Sequence, residues 1–402
     1  MSFNITVEGG SSIRLPTAGK YCDRDIIVTA EGGGIALDVI TSSALPDTVT
    51  DGQIVVITDT SPGTVYIDTD EPASPASGDV WVKLEAGADV ALVLSEESPI
   101  LRSGMASAAQ WDGSTWWWCN GYLGVAGAWE QFSAELPPIG TALDDFTWEQ
   151  IAIVSASGKA ADYFAVGDAK EITINGTVGV TEFNNLKIWA FIIGIYHNPE
   201  YEGGNFIHFQ IGRSAETGGT NLCLVDAKYN SSVTSAGYFS MFTANSNSGG
   251  WEGSAMRTDL LGGNCVPTEA PSGSLLAALP GELRDVMKGV TKYTDNKGGG
   301  ASNGSYVTIT TDYLWLLAEY EVFGTRNQAN TVEKNHQQQY AYYASGNSKV
   351  FRKYNATTTA ADWWLRSVYA TNSGYICGVN TSGSMGGNSA NVSRGICPCF
   401  CV

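Results

Sequence analysis

The stretch WWLRSVYATNSGYICGVNTSG, residues 363–383, decides how this chain is read. Two tryptophans, a leucine and an arginine lead into a run of Tyr, Thr, Asn, Ser and Gly. Trp363 and Trp364 on one strand are expected to point to opposite faces, with only one facing a core. Burying two such rings pins local structure by several kcal/mol. From Val368 to Arg394 the chain then holds almost no large aliphatic residue and few charges. Tyrosine supplies rigid contact area, and Ser, Gly and Asn supply adaptable hydrogen bonding, as in an antibody paratope. On composition alone the stretch also reads as an irregular loop rich in turn formers. After it, GICPCFCV at 395–402 returns to an apolar alternation suited to a closing strand.

Working outward, the 402 residues exceed one ordinary core and predict two or three domains. Apolar residues make up 43% and charged residues only 16%, which predicts sizeable cores under a neutral-polar surface. The 47 glycines point to a loop-rich, β-heavy protein. A formal charge of −19, with no Lys/Arg cluster, argues against nucleic acid and anionic bilayers as partners. No apolar run has membrane-spanning length, so no membrane insertion is expected. The start MSFNITVEGG lacks the features of a signal peptide, so synthesis in the cytoplasm is expected.

Three segments follow. Residues 1–34 carry short strand signals ahead of Gly32, Gly33 and Gly34, and read as an attachment or oligomerisation segment. Residues 36–133 repeat short strands (GQIVVIT, GTVYIDT, DVWVKL, VALVL, STWWWCNGYLGVAGAWEQF) at the spacing of a small antiparallel sandwich or barrel. Residues 138–402 mix helices and strands, which predicts an α+β domain. There, PGELRDVMKGVTKYT places Leu283, Val286, Met287 and Val290 on one helix face. SAMRTDLLGG reads as a short helix capped by Gly262. IWAFIIGIY, NFIHFQIG and YLWLLAEYEVFG read as strands.

Candidate chemistry is sparse. His197, His208 and His336 form no metalloprotease pattern, and a lone His in NFIHFQIG is expected to be packed or hydrogen-bonded. Glu319 and Glu321, two apart, share one strand face on this reading and would suit glycoside hydrolysis by paired acids. Cys397, Cys399 and Cys401 alternate onto one strand face as buried thiols, and no second pair completes a metal site. Neither metal nor cofactor is expected.

GGWEGSAMRTDLLGG, LLAALPGELRDVMKGVTKYT, TTDYLWLLAEYEVFG, QYAYYASGNSKVFRKYN and WWLRS, ahead of the terminal GICPCFCV, together resemble a phage and bacterial domain of the C-type-lectin-like superfamily. Its fold is related to the formylglycine-generating enzymes, and members include variable proteins of diversity-generating retroelements of the major-tropism-determinant type. The N-terminal ITVEGGSSIRLPTAGKYCDRDIIVTAEGG resembles the start of phage tail proteins, and DVWVKL with QWDGSTWWWCNGYLGVAGAWEQF resembles their accessory modules.

The resemblance implies a phage tail fibre or tip protein, carried on the virion, whose C-terminal surface binds a host cell-surface protein or glycan. It further implies contact with other tail proteins and a homo-oligomer, a trimer by analogy. The implied variable positions are Tyr369, Thr371, Ser373, Gly374, Tyr375, Gly378, Met385, Gly386, Gly387, Ser389, Val392 and Arg394. Trp363, Trp364 and Arg366 are the implied scaffold anchors. Relatives commonly end in Gly-Val-Arg-Pro where this chain has Gly395, Ile396, Cys397 and Pro398, so a Cys replaces that Arg. The related enzymes would draw attention to Cys377 or Cys397 as reactive thiols, for which buried inert thiols are the alternative. A calcium-dependent lectin is a second binding reading, but its Glu-Pro-Asn and Trp-Asn-Asp signatures are missing.

Overall fold

In the computed structural model the chain divides into two compact units, Met1–Pro138 and Ile139–Val402. The structure describes residues 139–297 and 304–402, preceded by the backbone of eight short strands in the first unit. The segment 1–34 and the expected strand VALVL lie outside the described residues.

The strands of the first unit are β1 (Val39–Ser42), β2 (Ile54–Ile57), β3 (Val65–Asp68), β4 (Val80–Leu84), β5 (Met105–Trp111), β6 (Trp116–Cys119), β7 (Gly121–Val125) and β8 (Ala128–Ser133). They form two four-stranded sheets, ordered β1-β2-β7-β8 and β3-β4-β5-β6. The expected purely antiparallel arrangement is corrected: β1 pairs with β2, and β3 with β4, in parallel. Longer connections separate these pairs, as a parallel pairing requires.

The second unit is α+β. A four-stranded antiparallel sheet, ordered β20-β11-β10-β9, combines β9 (Ala169–Val178), β10 (Thr181–Ile195) and β11 (Ile207–Arg213) with the last strand, β20 (Cys399–Cys401). Helix α1 (Trp148–Ala156) starts at Thr147, whose hydroxyl accepts from Gln150 N while the Gln150 side chain accepts from Thr147 N. This reciprocal cap satisfies two otherwise orphaned donors. Trp148 then meets Phe209 and Phe400 edge-on at 5.4 and 5.7 Å, and those two rings stack at 5.1 Å. Each such buried side chain contributes about 1.5–3 kcal/mol. The aromatic cluster ties the start of the unit to its C-terminus.

Short helices α2 (Ala160–Tyr163), α3 (Pro199–Glu202), α4 (Leu275–Ala278), α5 (Gly281–Arg284), α6 (Glu319–Phe323) and α7 (Ala341–Ala344) connect smaller sheets. Those sheets are β12 (Leu222–Cys223) with β15 (Phe351–Lys353) and β16 (Ala356–Ala361), and the hairpin β13 (Val290–Asp295) with β14 (Val307–Asp312). The third is β17 (Trp363–Val368), β18 (Tyr375–Val379) and β19 (Met385–Ser389), in that order.

IWAFIIGIY as far as Ile195 and NFIHFQIG from Ile207 are strands, in β10 and β11, and Met256–Leu261 forms a wide helical turn capped by Gly262 at φ 65°. Two expected elements are corrected. The helix over PGELRDVMKGVTKYT stops at Arg284: Lys288 N donates to Cys401 O, and strand β13 begins at Val290. Tertiary pairing overrides the helical spacing there. YLWLLAEYEVFG is not one strand either. Leu314 to Ala318 are fully buried, but the chain turns at Ala318 into α6, where Glu321 accepts from Ala318 N at 2.8 Å.

Candidate functional site

Every residue of β17 is buried, so this strand has no solvent face. Both tryptophans are therefore core residues, which corrects the expectation that only one would be. Trp363 Nε1 donates to Lys349 O at 3.1 Å and Trp364 Nε1 to Phe239 O at 3.1 Å. The indoles are fixed at both apolar body and polar tip. Arg366, fully buried, forks onto Glu321 through Nη1 at 2.5 Å and Nη2 at 2.8 Å. Its Nε donates to Thr294 Oγ1 and Nη1 to Leu316 O. Burial alone would raise Glu321, but Arg366 and then Lys292 hold it down at about 2. Burial works against the charge on Arg366, yet Glu321 raises its pKa further. The three anchors make a rigid base.

A face of small and polar side chains stands on this base. The loop after β17 is closed by Tyr369 N donating to Tyr375 O at 3.0 Å, and Gly374 N donates to Asn372 Oδ1 at 2.9 Å. The side chain of Asn247, 1% exposed, donates to both Asn372 O (2.7 Å) and Tyr375 O (2.8 Å). Buried hydrogen bonds of this kind hold a loop in one conformation. At the other end, Asn380 Oδ1 accepts from Ser382 N, Ser382 Oγ and Ser384 N, folding the β18–β19 turn on itself. Gly383, at φ 79°, supplies the left-handed residue of this turn.

Of the twelve implied variable positions, Thr371 and Ser373 are exposed; Tyr369, Tyr375, Met385, Gly386, Gly387 and Ser389 are half-buried. The tyrosine rings meet edge-on at 5.9 Å. Gly374, Gly378, Val392 and Arg394 are buried, which corrects their assignment to an exposed surface. A Cβ on Gly374 would lie 2.7 Å from Asn245 Oδ1, and one on Gly378 would lie 2.9 Å from Trp363 O. Val392 is held by its backbone bond to Ser389 O. Arg394 lies over Trp364 at 5.4 Å and pairs with Asp362 at 3.4 Å. Sequence reasoning passed over Asn372, Thr381, Ser382 and Ser384, all exposed on the same hairpin and loop. Their turn-forming chemistry was the signal available.

Glu319 and Glu321 sit on α6, not on a strand, and each is 1% exposed. Glu319 accepts from the backbone of Asn327, Gln328 and Ala329. Both carboxylates are thus engaged in holding the fold, and neither faces an open cleft. Cys377 and Cys397 are fully buried, and burial pushes both thiols well above their ordinary range. That environment opposes nucleophilic thiolate chemistry.

A buried polar cluster unseen in the sequence lies nearby. Glu202 Oε1 meets Lys292 Nζ at 2.7 Å, while its Oε2 meets His197 Nδ1 at 2.8 Å and His208 Nε2 at 3.8 Å. Burial would raise Glu202, but Lys292 and His197 hold it below the usual carboxylate range. Burial lowers His208 to about 3, so that ring is neutral. His197, Glu202 and His208 offer ligand-type atoms within 4.8 Å of one another. The Lys292 ammonium already neutralises that carboxylate, and His197 Nε2 is bonded to Gln338 O at 3.0 Å, so the donor set fits an internal ion pair better than a metal.

No helix among the described residues is long and apolar enough to cross a membrane. Residues 229–402, less than half of the chain, match a family described as a domain of unknown function (DUF6273). No curated protein and no solved structure matches the chain.

Proposed function

We propose that this protein is a phage tail fibre or tip protein, and that its second unit is a C-type-lectin-like domain binding a host cell-surface protein or glycan. It acts by non-covalent recognition and not as an enzyme, at the virion surface, in a homo-oligomer whose copies add avidity. One observation carries this reading. The loop at 369–375 and the turn at 380–384 present Tyr, Thr, Asn and Ser on a frame whose anchors, Trp363, Trp364 and Arg366, are wholly buried. Side chains on such a face can be exchanged without disturbing the core, which is what diversification by a retroelement demands.

The test is the distribution of codon differences among related isolates of the gene. Differences are expected to gather at Tyr369, Thr371, Asn372, Ser373, Tyr375, Thr381, Ser382, Ser384 and Met385, beside a reverse transcriptase and a near-copy of the gene's end. Differences spread evenly along the gene, with no template nearby, would remove the support for a diversified binder.

A further inference from the structure

We infer that the second unit carries a separate site for an oxyanion borne on a hydroxylated frame, the acidic group of a sugar, in the cleft lined by Arg213 and Arg352. The cleft has a volume of about 660 Å³.

Four Lys or Arg side chains are buried among the described residues: Arg213, Lys292, Arg366 and Arg394. Three of them have a carboxylate within ion-pair reach, Lys292 with Glu202 at 2.7 Å, Arg366 with Glu321 at 2.5 Å and Arg394 with Asp362 at 3.4 Å. Arg213 has no such partner among the described residues. A buried charge without a counter-ion is costly, and proteins rarely keep one unless something else neutralises it. Part of that cost is met by the Phe191 ring, 4.4 Å from the guanidinium carbon. Nη1 donates to Gly167 O at 2.6 Å, with a long contact to Glu216 O at 3.5 Å, and Nη2 donates to Tyr342 OH at 3.3 Å. A guanidinium has five N–H groups. The Nε–H and the second Nη2 proton of Arg213 meet no acceptor among the described residues, and they are the donors left for a ligand.

Arg352, whose Nη1 holds Thr358 O at 2.6 Å, also lines the cleft. The charged residues lining the cleft are two arginines, Arg213 and Arg352, and one acid, Glu216, a locally positive balance in a chain of net charge −19. The planar fork of a guanidinium matches carboxylate and phosphate alike. Asn221, Asn347, Ser348, Thr217 and Thr220 contribute amides and hydroxyls, which suit sugar hydroxyls, while Val166, Val350 and Tyr342 add apolar surface of the kind a sugar ring packs against. Asn221 and Tyr342 are themselves buried, and Asn221 is tied to Ser348 O at 2.9 Å, so these walls are pre-formed.

This inference stands apart from the receptor reading, since the cleft is built by residues outside the 369–384 face. The experiment is calorimetric titration of the full-length protein with glucuronate, glucose 6-phosphate and glucose. Saturable binding of either anion is expected, with glucose weaker by about tenfold or more. The tighter of the two anions tells carboxylate from phosphate. Arg352→Ala should weaken anion binding about tenfold while moving the unfolding midpoint by no more than about 5 °C, since the hydrogen bond it loses is exposed, and Glu216→Gln should tighten it. No binding of either anion, glucose binding as well as they do, or anion binding indifferent to both substitutions would overturn the site. Arg213→Lys keeps the charge but loses the fork, so undiminished binding in that variant would also contradict it.

Discussion

Glu333 shows how single residues in this frame respond to solution conditions. It is 1% exposed and accepts from Ser367 Oγ, Asp295 N and Gln337 Nε2. Burial raises its pKa from 4.5 to about 7. Between those values the folded chain holds a proton that the unfolded chain has released, so folding stability falls as pH rises through this window. The loss reaches about 3 kcal/mol above pH 7. Glu333→Gln has no such proton to lose. Its unfolding midpoint relative to the parent should therefore rise between pH 5 and pH 8, and a difference independent of pH would contradict the assignment. None of this was legible in the sequence, where Glu333 is one acid among 41 Asp and Glu. Partners more than thirty residues away, such as Ser367 and Asp295, set its environment. The same holds for Glu202, Lys292 and His208, which the fold gathers from three elements. By contrast, the importance of Trp363, Trp364 and Arg366 could be read directly, because bulky anchors beside turn formers have few other uses.

At the level of elements, the hairpin β18–β19 couples its positions in pairs. Cys377 faces Gly387 in the ladder, and a Cβ on Gly387 would come within 2.6 Å of the Tyr369 ring and 2.9 Å of Ile376 O. A large side chain at 369 therefore requires a small one at 387. Gly387→Ala should cost about 1–3 kcal/mol in the parent. Part of that cost should vanish when Tyr369→Ala is also present, with a coupling of about 1 kcal/mol in a double-mutant cycle read by thermal unfolding. Additive effects would show that the ring and the strand do not meet. Strands with a sustained apolar run, such as those within β10 and β11, were legible because their pattern matches their burial. α6 was not, because its lead-in Leu314–Ala318 is as apolar as a strand, and only the buried Glu321 cap and Arg366 turn it into a helix.

For the whole molecule, the α+β character of the second unit followed from the mixture of helical and alternating spacings in its sequence. The pairing order did not, since a parallel ladder such as β1 with β2 joins residues whose separation no local pattern reports. The closure of the second unit by its last residues, with Ser155 Oγ donating to Val402 O at 2.7 Å, is likewise a long-range fact. The chain beyond the face at 369–384 is thereby tied into the central sheet through β20.

The most direct test is to randomise two sets of positions in the full-length protein and measure thermal unfolding of the members. One library varies Thr371, Asn372, Ser373, Thr381, Ser382 and Ser384, and most members should unfold within about 5 °C of the parent. The other varies Gly374, Gly378, Val392 and Arg394, and most members should lose cooperative unfolding. Equal damage in both libraries would contradict an exchangeable face on a fixed frame.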